Sequence, residues 1–281
     1  MDLACKIKIR DPNKLTNKEI DEMFKLYSPH HNVTFESFFK RIKIQFTDIF
    51  IFRTKINKKI VGFLGISITR LSLSHSDTYT TFYLGAGYMH KLFRRNRLIQ
   101  KGIIKLAIRA KFSHLFDRFI IWYDALNYKA YLIPAKYTRE YYPNPFKKQI
   151  PPSFKRIKTY LGKKRYGDAY NPETGIVNKS YRKLKDHVGI IKPKYLKNIY
   201  IRYFLKKNPK YNEGNGLFIF VLFKFPSTIL HFLKIIIHKW LMKLSEGDDS
   251  KKKQEKDYTV EKEAVFIGKL EEQVRETSPI L

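Results

Sequence analysis

A mixed α/β fold, with a central twisted mixed sheet flanked by helices, is predicted by two features of this 281-residue chain. Short runs rich in β-branched and aromatic residues alternate with stretches whose apolar residues recur every three or four positions. There is also material for a sizeable core, since 43% of residues are hydrophobic and 15% aromatic. A chain of this length suits one large domain, or one domain with an appendage.

Cys5 to Arg10 alternates Lys with Ile and reads as a first strand. Thr16-Asn17-Lys18-Glu19 has the spacing of a capping box, which places a helix over Asn17 to Tyr27. Phe35, Phe38, Phe39 and Ile42 recur at helical spacing and give a second short helix. Asp48 to Thr54 and Lys59 to Arg70 are β-rich runs joined by Lys55-Ile56-Asn57-Lys58, a hairpin. Thr80 to Phe93 is a third such run. The helical stripe Leu98, Ile99, Gly102, Ile103, Leu106 and Ala110 follows within Arg97 to Phe112. Phe119 to Asp124 is a short apolar strand, and Asn127 to Tyr141 an amphipathic helix.

After Tyr142-Pro143-Asn144-Pro145 the chain turns proline- and lysine-rich. Residues 143–195 read as a long basic insertion, in which Lys155 to Tyr170 interleaves bases with aromatics as a solvated loop. Ile199 to Leu205 and Leu217 to Phe223 read as two more strands around a turn-rich Asn208 to Gly216. Ser227 to Leu244 reads as a helix with the polar stripe Ser227, His231, Lys234 and His238. The expected organisation is a core over 1–142, the insertion over 143–195, strands and an amphipathic helix completing the domain over 196–244, and a mobile charged tail over 245–281.

Lys and Arg total 56 against 25 Asp and Glu, a formal charge of +31, so an anionic partner is the first expectation. The tail holds 10 acids and 7 bases, leaving 49 bases against 15 acids over residues 1–244. The domain, not the tail, is basic. The single cysteine, Cys5, forms no internal disulfide and no thiolate zinc cage, which fits a reducing, cytoplasmic compartment. The N-terminus carries an acid at position 2 and no apolar run of secretory-signal length. The histidines do not join Cys or acids at metal-ligand spacing, so no metal is expected. Gly-x-Ser-x-Gly elbows, Walker loops and glycine-rich dinucleotide fingerprints are absent. Leu217 to Leu244 is interrupted by Lys224, Pro226, Lys234 and Lys239. It fits a buried strand and helix, with an in-plane helix on an anionic membrane as the alternative.

The segment most informative for chemistry is strand, basic turn, helix over Leu84 to Ala110. A helix N-terminus presents unsatisfied N–H groups and the positive end of a dipole, and Arg94, Arg95 and Arg97 add full charges suited to phosphate. The element order, this turn and a following strand leading to Asn127 together resemble the GNAT-type acyl-CoA N-acyltransferases over residues 1 to about 142. Later signals, at Tyr142–Pro145, Asp168–Gly175, Asn208–Pro209 and Gly214–Leu217, resemble a bacterial GNAT-like group with an enlarged C-terminal half and extend the likeness to about residue 225.

The resemblance implies transfer of an acyl group from acyl-CoA, acetyl-CoA or longer, to an amine acceptor without a metal. The thioester would lie between the strands at 80–93 and 119–124. Arg94-Arg95-Asn96-Arg97-Leu98-Ile99 aligns with the family's Arg/Gln-x-x-Gly-x-Gly/Ala loop, whose backbone amides hold the coenzyme pyrophosphate. Arg97 and Ile99 stand at the glycine positions. Asn127-Tyr128-Lys129-Ala130 resembles the family's Asn-x-x-Ala. The cofactor-binding set is therefore Arg94, Arg95, Asn96, Arg97, Leu98 and Asn127.

Pro134 replaces the family's tyrosine seven residues after the Asn. Tyr131, on the helical face of Asn127, is the substitute donor, since a phenol of pKa near 10 can protonate a thiolate whose acid lies near about 8.5. Packing is its alternative role. His90 and Asp124 are the groups available as base, with structural roles as their alternative. The rival to an enzyme is a catalytically inactive GNAT-like basic module for nucleic acid or an anionic membrane, favoured by the lost loop glycines and tyrosine.

Overall fold

The computed structural model describes residues 5–74, 77–96, 98–114, 117–138, 140–147 and 149–223. The expected helix at Ser227–Leu244 and the tail beyond it lie outside them. Among the described residues the strands are β1 Cys5–Arg10, β2 Asp48–Thr54, β3 Ile60–Ser74, β4 Asp77–Met89, β5 Arg118–Ala125, β6 Tyr141–Tyr142, β7 Tyr170–Asn171, β8 Ile176–Asn178 and β9 Asn215–Phe223. They form one mixed sheet in the order β1-β2-β3-β4-β5-β9-β8-β7, with β6 also paired to β9. β4 and β5 are parallel, and the remaining pairs are antiparallel. A parallel pair needs a crossover, here the helix α3 Leu98–Ser113.

The helices cover both faces. α1 Asn17–Tyr27, α2 Phe35–Gln45 and α5 Pro152–Tyr166 bury Met23, Tyr27, Phe38, Ile42, Ile157 and Leu161 in one core with Trp122, Phe218 and Phe220. On the other face, α3 packs Leu98 and Leu106 against Phe50, Phe52, Phe82 and Phe119. Beside it, α4 Tyr128–Tyr137 and α6 Ile199–Lys207 cover Leu217, Ile219 and Val221. Alternate residues of β9 thus serve opposite cores, and its run of apolar residues follows from being covered twice.

The capping box at Thr16 is formed: its Oγ1 accepts from the Glu19 N–H at 3.2 Å, and Glu19 Oε2 accepts from the Thr16 N–H at 3.1 Å. Ile199–Leu205, expected as a strand, is instead helical within α6. Asn198 Oδ1 accepts from the N–H groups of Tyr200 at 2.9 Å and Ile201 at 3.4 Å, and Ile201 and Phe204 are buried three residues apart. β-branched and aromatic content suggests a strand there, but cap and spacing decide for a helix.

Residues 155–166, expected in a loop, belong to α5. Pro152 occupies its first turn, where no N–H is needed, and Ile157 and Leu161 lie four apart. At Gly162 a Cβ would come within 2.2 Å of the Tyr170 ring, so the helix lies directly on that ring. Asp117 ties three central strands at their other end. Its carboxylate accepts from Arg70 Nε at 3.0 Å, Arg70 Nη2 at 3.1 Å, Thr78 Oγ1 at 2.7 Å and Thr80 Oγ1 at 2.8 Å.

Candidate active site

β4 and β5 pair from Tyr79 opposite Arg118 to Tyr83 opposite Trp122 and then part, although β4 runs on to Met89 and β5 to Ala125. The cause lies on the other edge of β4. Its pairing with β3 jumps from Gly85 opposite Gly65 to Tyr88 opposite Phe63, so Ala86 and Gly87 bulge across Leu64, with Ala86 at φ 46°. A bulge bends the strand that carries it.

Asp124 stands at this fork on the α1, α2 and α5 side of the sheet. Its Oδ1 accepts from the hydroxyls of Tyr83, at 3.3 Å, and Tyr166, while Oδ2 accepts from Lys179 Nζ. The Asp124 and Lys179 side chains are 4% and 5% exposed. Two glycines make the pairing possible. Gly214, at φ 96°, lies where a Cβ would meet the Lys179 carbonyl oxygen at 2.8 Å, and its own oxygen accepts from the Lys179 N–H at 3.1 Å. At Gly216 a Cβ would press on Asp124 at 3.1 Å.

Around this pair the cations outnumber the carboxylate. Arg165 lies over the Tyr83 ring, 3.4 Å from its centroid, and Arg41 Nη1 donates to Tyr27 Oη at 3.3 Å. Burial alone would raise the pKa of Asp124, but Lys179, the Tyr166 hydroxyl and Arg41 hold it below the usual range. The two phenols at this carboxylate diverge. Tyr83 is lowered, because Lys179, Arg165 and Arg41 outweigh burial and Asp124, whereas burial and Asp124 raise Tyr166.

A second basic locus lies where the chain continues beyond the two strand ends. Arg94, in a 3-10 turn over Lys91–Asn96, donates from Nε to the Met89 carbonyl at 2.8 Å. Lys129, in the first turn of α4, has a buried Nζ with no hydrogen-bond partner among the described residues. Burial and then Arg94 depress its pKa to about 8. His30 stacks on Tyr88 at 5.3 Å, and burial followed by Arg94 depresses it to about 4. The charged forms of Lys129 and His30 are thus both disfavoured by burial and by the Arg94 charge.

The site residues inferred from sequence fall at three places. Asp124 is in the fork. His90 closes β4, its ring against Phe93, with pKa lowered by burial, Lys91, Arg94 and Lys59. Tyr131 is on the opposite face of the sheet from Asp124, fully buried against Tyr141, Tyr203 and Phe204, and its hydroxyl donates to the Pro143 carbonyl at 3.1 Å. Burial and Tyr141 raise its pKa. Asn127 is the N-cap of α4, accepting from the Ala130 N–H at 3.0 Å. Leu98 begins α3 with its side chain in the core. Arg97 lies outside the described residues, as do the side chains of Arg95 and Asn96.

Tyr83, Tyr166, Lys179, Arg41 and Lys129 escape the sequence reading. For two of them a signal exists. Arg41 follows Phe38 by three and precedes Ile42, so it sits on the buried arc of α2. Lys129 occupies a helix first turn, where the dipole disfavours a cation.

No family model matches the sequence, and no curated protein does. Among solved structures the chain is similar to a probable N-acyltransferase from Enterococcus faecalis, at 14% identity and a TM-score of 0.33, covering 49% of this chain and 32% of that one. It is similar to an acetyltransferase of Trypanosoma brucei, at 11% identity and a TM-score of 0.34, over 53% of this chain and 98% of that one. It is also similar to an aminoglycoside acetyltransferase from an uncultured soil metagenomic sample, at 13% identity and a TM-score of 0.36, with 53% and 98% covered. Among the described residues no helix is long and apolar enough to cross a membrane, and no group of three or more His, Cys, Asp or Glu is placed to hold a metal.

Proposed function

We propose that the chain is a GNAT-type acyltransferase, using a coenzyme A thioester laid between the parted ends of β4 and β5. One observation carries this reading: each strand's continuation supplies a cation, Arg94 after β4 and Lys129 after β5, and the buried Lys129 ammonium has no hydrogen-bond partner among the described residues. The two fit the coenzyme diphosphate, which would be their shared counter-ion. The N–H groups that open α3 add to the same charge.

In this reading Tyr83 does the proton work. Its phenol protonates the departing thiolate, and the phenolate left behind is stabilised by Lys179 and Arg165. It then takes back the proton that the acceptor nitrogen loses as the amide forms, so the proton count closes. Asp124 orients Tyr83 and Lys179. The surrounding cations keep an acceptor amine in its neutral, nucleophilic form. Tyr131 packs α4 against α6.

Calorimetric titration with acetyl-CoA tests the binding half. Lys129→Met should weaken affinity by roughly tenfold or more, the scale of one charge-assisted hydrogen bond. A parent that ignores acetyl-CoA, or a variant that binds it equally, sinks the assignment. Tyr83→Phe tests the chemical half: acetyl-CoA affinity should hold while turnover falls by roughly a hundredfold. Unchanged turnover would remove Tyr83 from the mechanism.

A further inference from the structure

A cavity of about 300 Å³ opens between α2 and the turn after β8, lined by Ser37, Lys40, Arg41, Ile44, Gln45 and Arg182. It lies on the Asp124 side of the sheet, since Arg41 is close enough to act electrostatically on Asp124, Tyr83 and Tyr166. Three guanidinium atoms in this region are buried without a hydrogen-bond partner among the described residues: Arg41 Nε, Arg182 Nε and Arg165 Nη2. Lys179 and Arg41 act on Asp124, which is already engaged by Lys179 and two tyrosines, while Arg165 and Arg182 act on the adjoining Tyr83.

Leaving buried guanidinium donors unpaired is strongly unfavourable, and native proteins complete them with a ligand, an ion or an ordered water. Guanidinium forks match planar or tetrahedral oxyanions. A cleft of this volume admits a molecule of amino-acid size.

We propose that this cavity receives an amino-acid-sized acceptor by its anionic group, a carboxylate or a phosphate, held by Arg41 and Arg182 so that its amine is turned toward Tyr83 and Asp124. The proposal rests on the acyltransfer reading for the word acceptor, but the anion site itself stands or falls separately.

The test uses the full chain, with L-glutamate and phosphoethanolamine, which carries an amine and a phosphate but no carboxylate, as probes of the two oxyanions, read by calorimetry and by thermal shift. At least one should bind the parent and raise its Tm. Arg182→Gln should weaken that probe by roughly tenfold or more and abolish its thermal shift, while acetyl-CoA affinity stays unchanged. Removal of a half-buried cation whose Nε is unpartnered should leave the Tm of the unliganded variant equal to or above the parent's, so misfolding is recognised at once. Should Arg182→Gln misfold, Arg182→Lys, which keeps the charge but loses the guanidinium fork, replaces it, and should likewise weaken the probe. Which probe binds assigns carboxylate or phosphate. Binding of neither, or binding that both variants leave intact, overturns the proposal. Anion binding without acetyl-CoA binding keeps the anion site and overturns acyl transfer.

Discussion

Asp124→Ala should lower the free energy of unfolding by about 3–5 kcal/mol, because it leaves the buried Lys179 ammonium without its carboxylate and beside Arg41. Urea unfolding of the purified variant measures this. Adding Lys179→Met to the same chain should restore much of the loss, since a fully apolar pair can be as stable as a buried ion pair. The double variant should fold yet turn over more slowly, by up to the roughly hundredfold expected for loss of the Tyr83 hydroxyl itself, because Tyr83 has lost the group that aims its hydroxyl. A single variant within about 1 kcal/mol of the parent would mean that water reaches Lys179 and that the pair is not the electrostatic centre of the fold.

Asp117 supports the sheet at the closed end of the same two strands. Asp117→Ala should cost about 3 kcal/mol, since it removes four hydrogen bonds, three of them to β3 and Thr78, and leaves the Thr80 hydroxyl buried without its partner. Burial pushes the Asp117 carboxyl up, but Arg70, Thr78 and Thr80 pull it down further, to about 2. A folded-state pKa below the unfolded value of about 3.9 means that its stabilisation is complete above that value and is lost as pH falls toward 2. Melting temperatures of parent and Asp117→Asn, followed from roughly pH 5 to 2, should converge toward the acid end. A constant gap across that window would show that ionisation of Asp117 does not contribute.

What sequence reveals here divides by range. Local signals are legible: Thr16 and Glu19 cap α1, the Lys55–Lys58 turn joins β2 to β3, and Leu217–Phe223 forms a strand. The strand-turn-helix of β4 and α3 is also visible, because a period-two pattern passes into a helical stripe at a cluster of bases. α6 is misread because Ile199, Tyr200, Ile201 and Tyr203 favour strands by composition, while the deciding Asn198 cap is a single residue. The site itself is mostly illegible. Asp124 is visible as a carboxylate at a strand end. Tyr166 and Lys179 are not, since they arrive 42 and 55 residues later inside a stretch as basic as any solvated surface. Nothing local distinguishes a lysine seated by Gly214 from its neighbours Lys183 and Lys185.

The pairing of β5 with β9 also orders events during synthesis. When the ribosome has made β5, the edge that will receive β9 is bare, and Leu217 to Phe223 have still to emerge before the seven pairs from Phe119 opposite Phe223 to Ala125 opposite Leu217 can close. Closure over so long an intervening chain is entropically slow and comes late. Until then the nascent protein presents an apolar strand, Phe119-Ile-Ile-Trp-Tyr, with an open hydrogen-bonding edge, a template for association with another chain. Prepared alone, the first half, which carries the crossover and the fork, should therefore associate through β5, and a chaperone that shields β5 until β9 arrives should raise the yield of the whole protein.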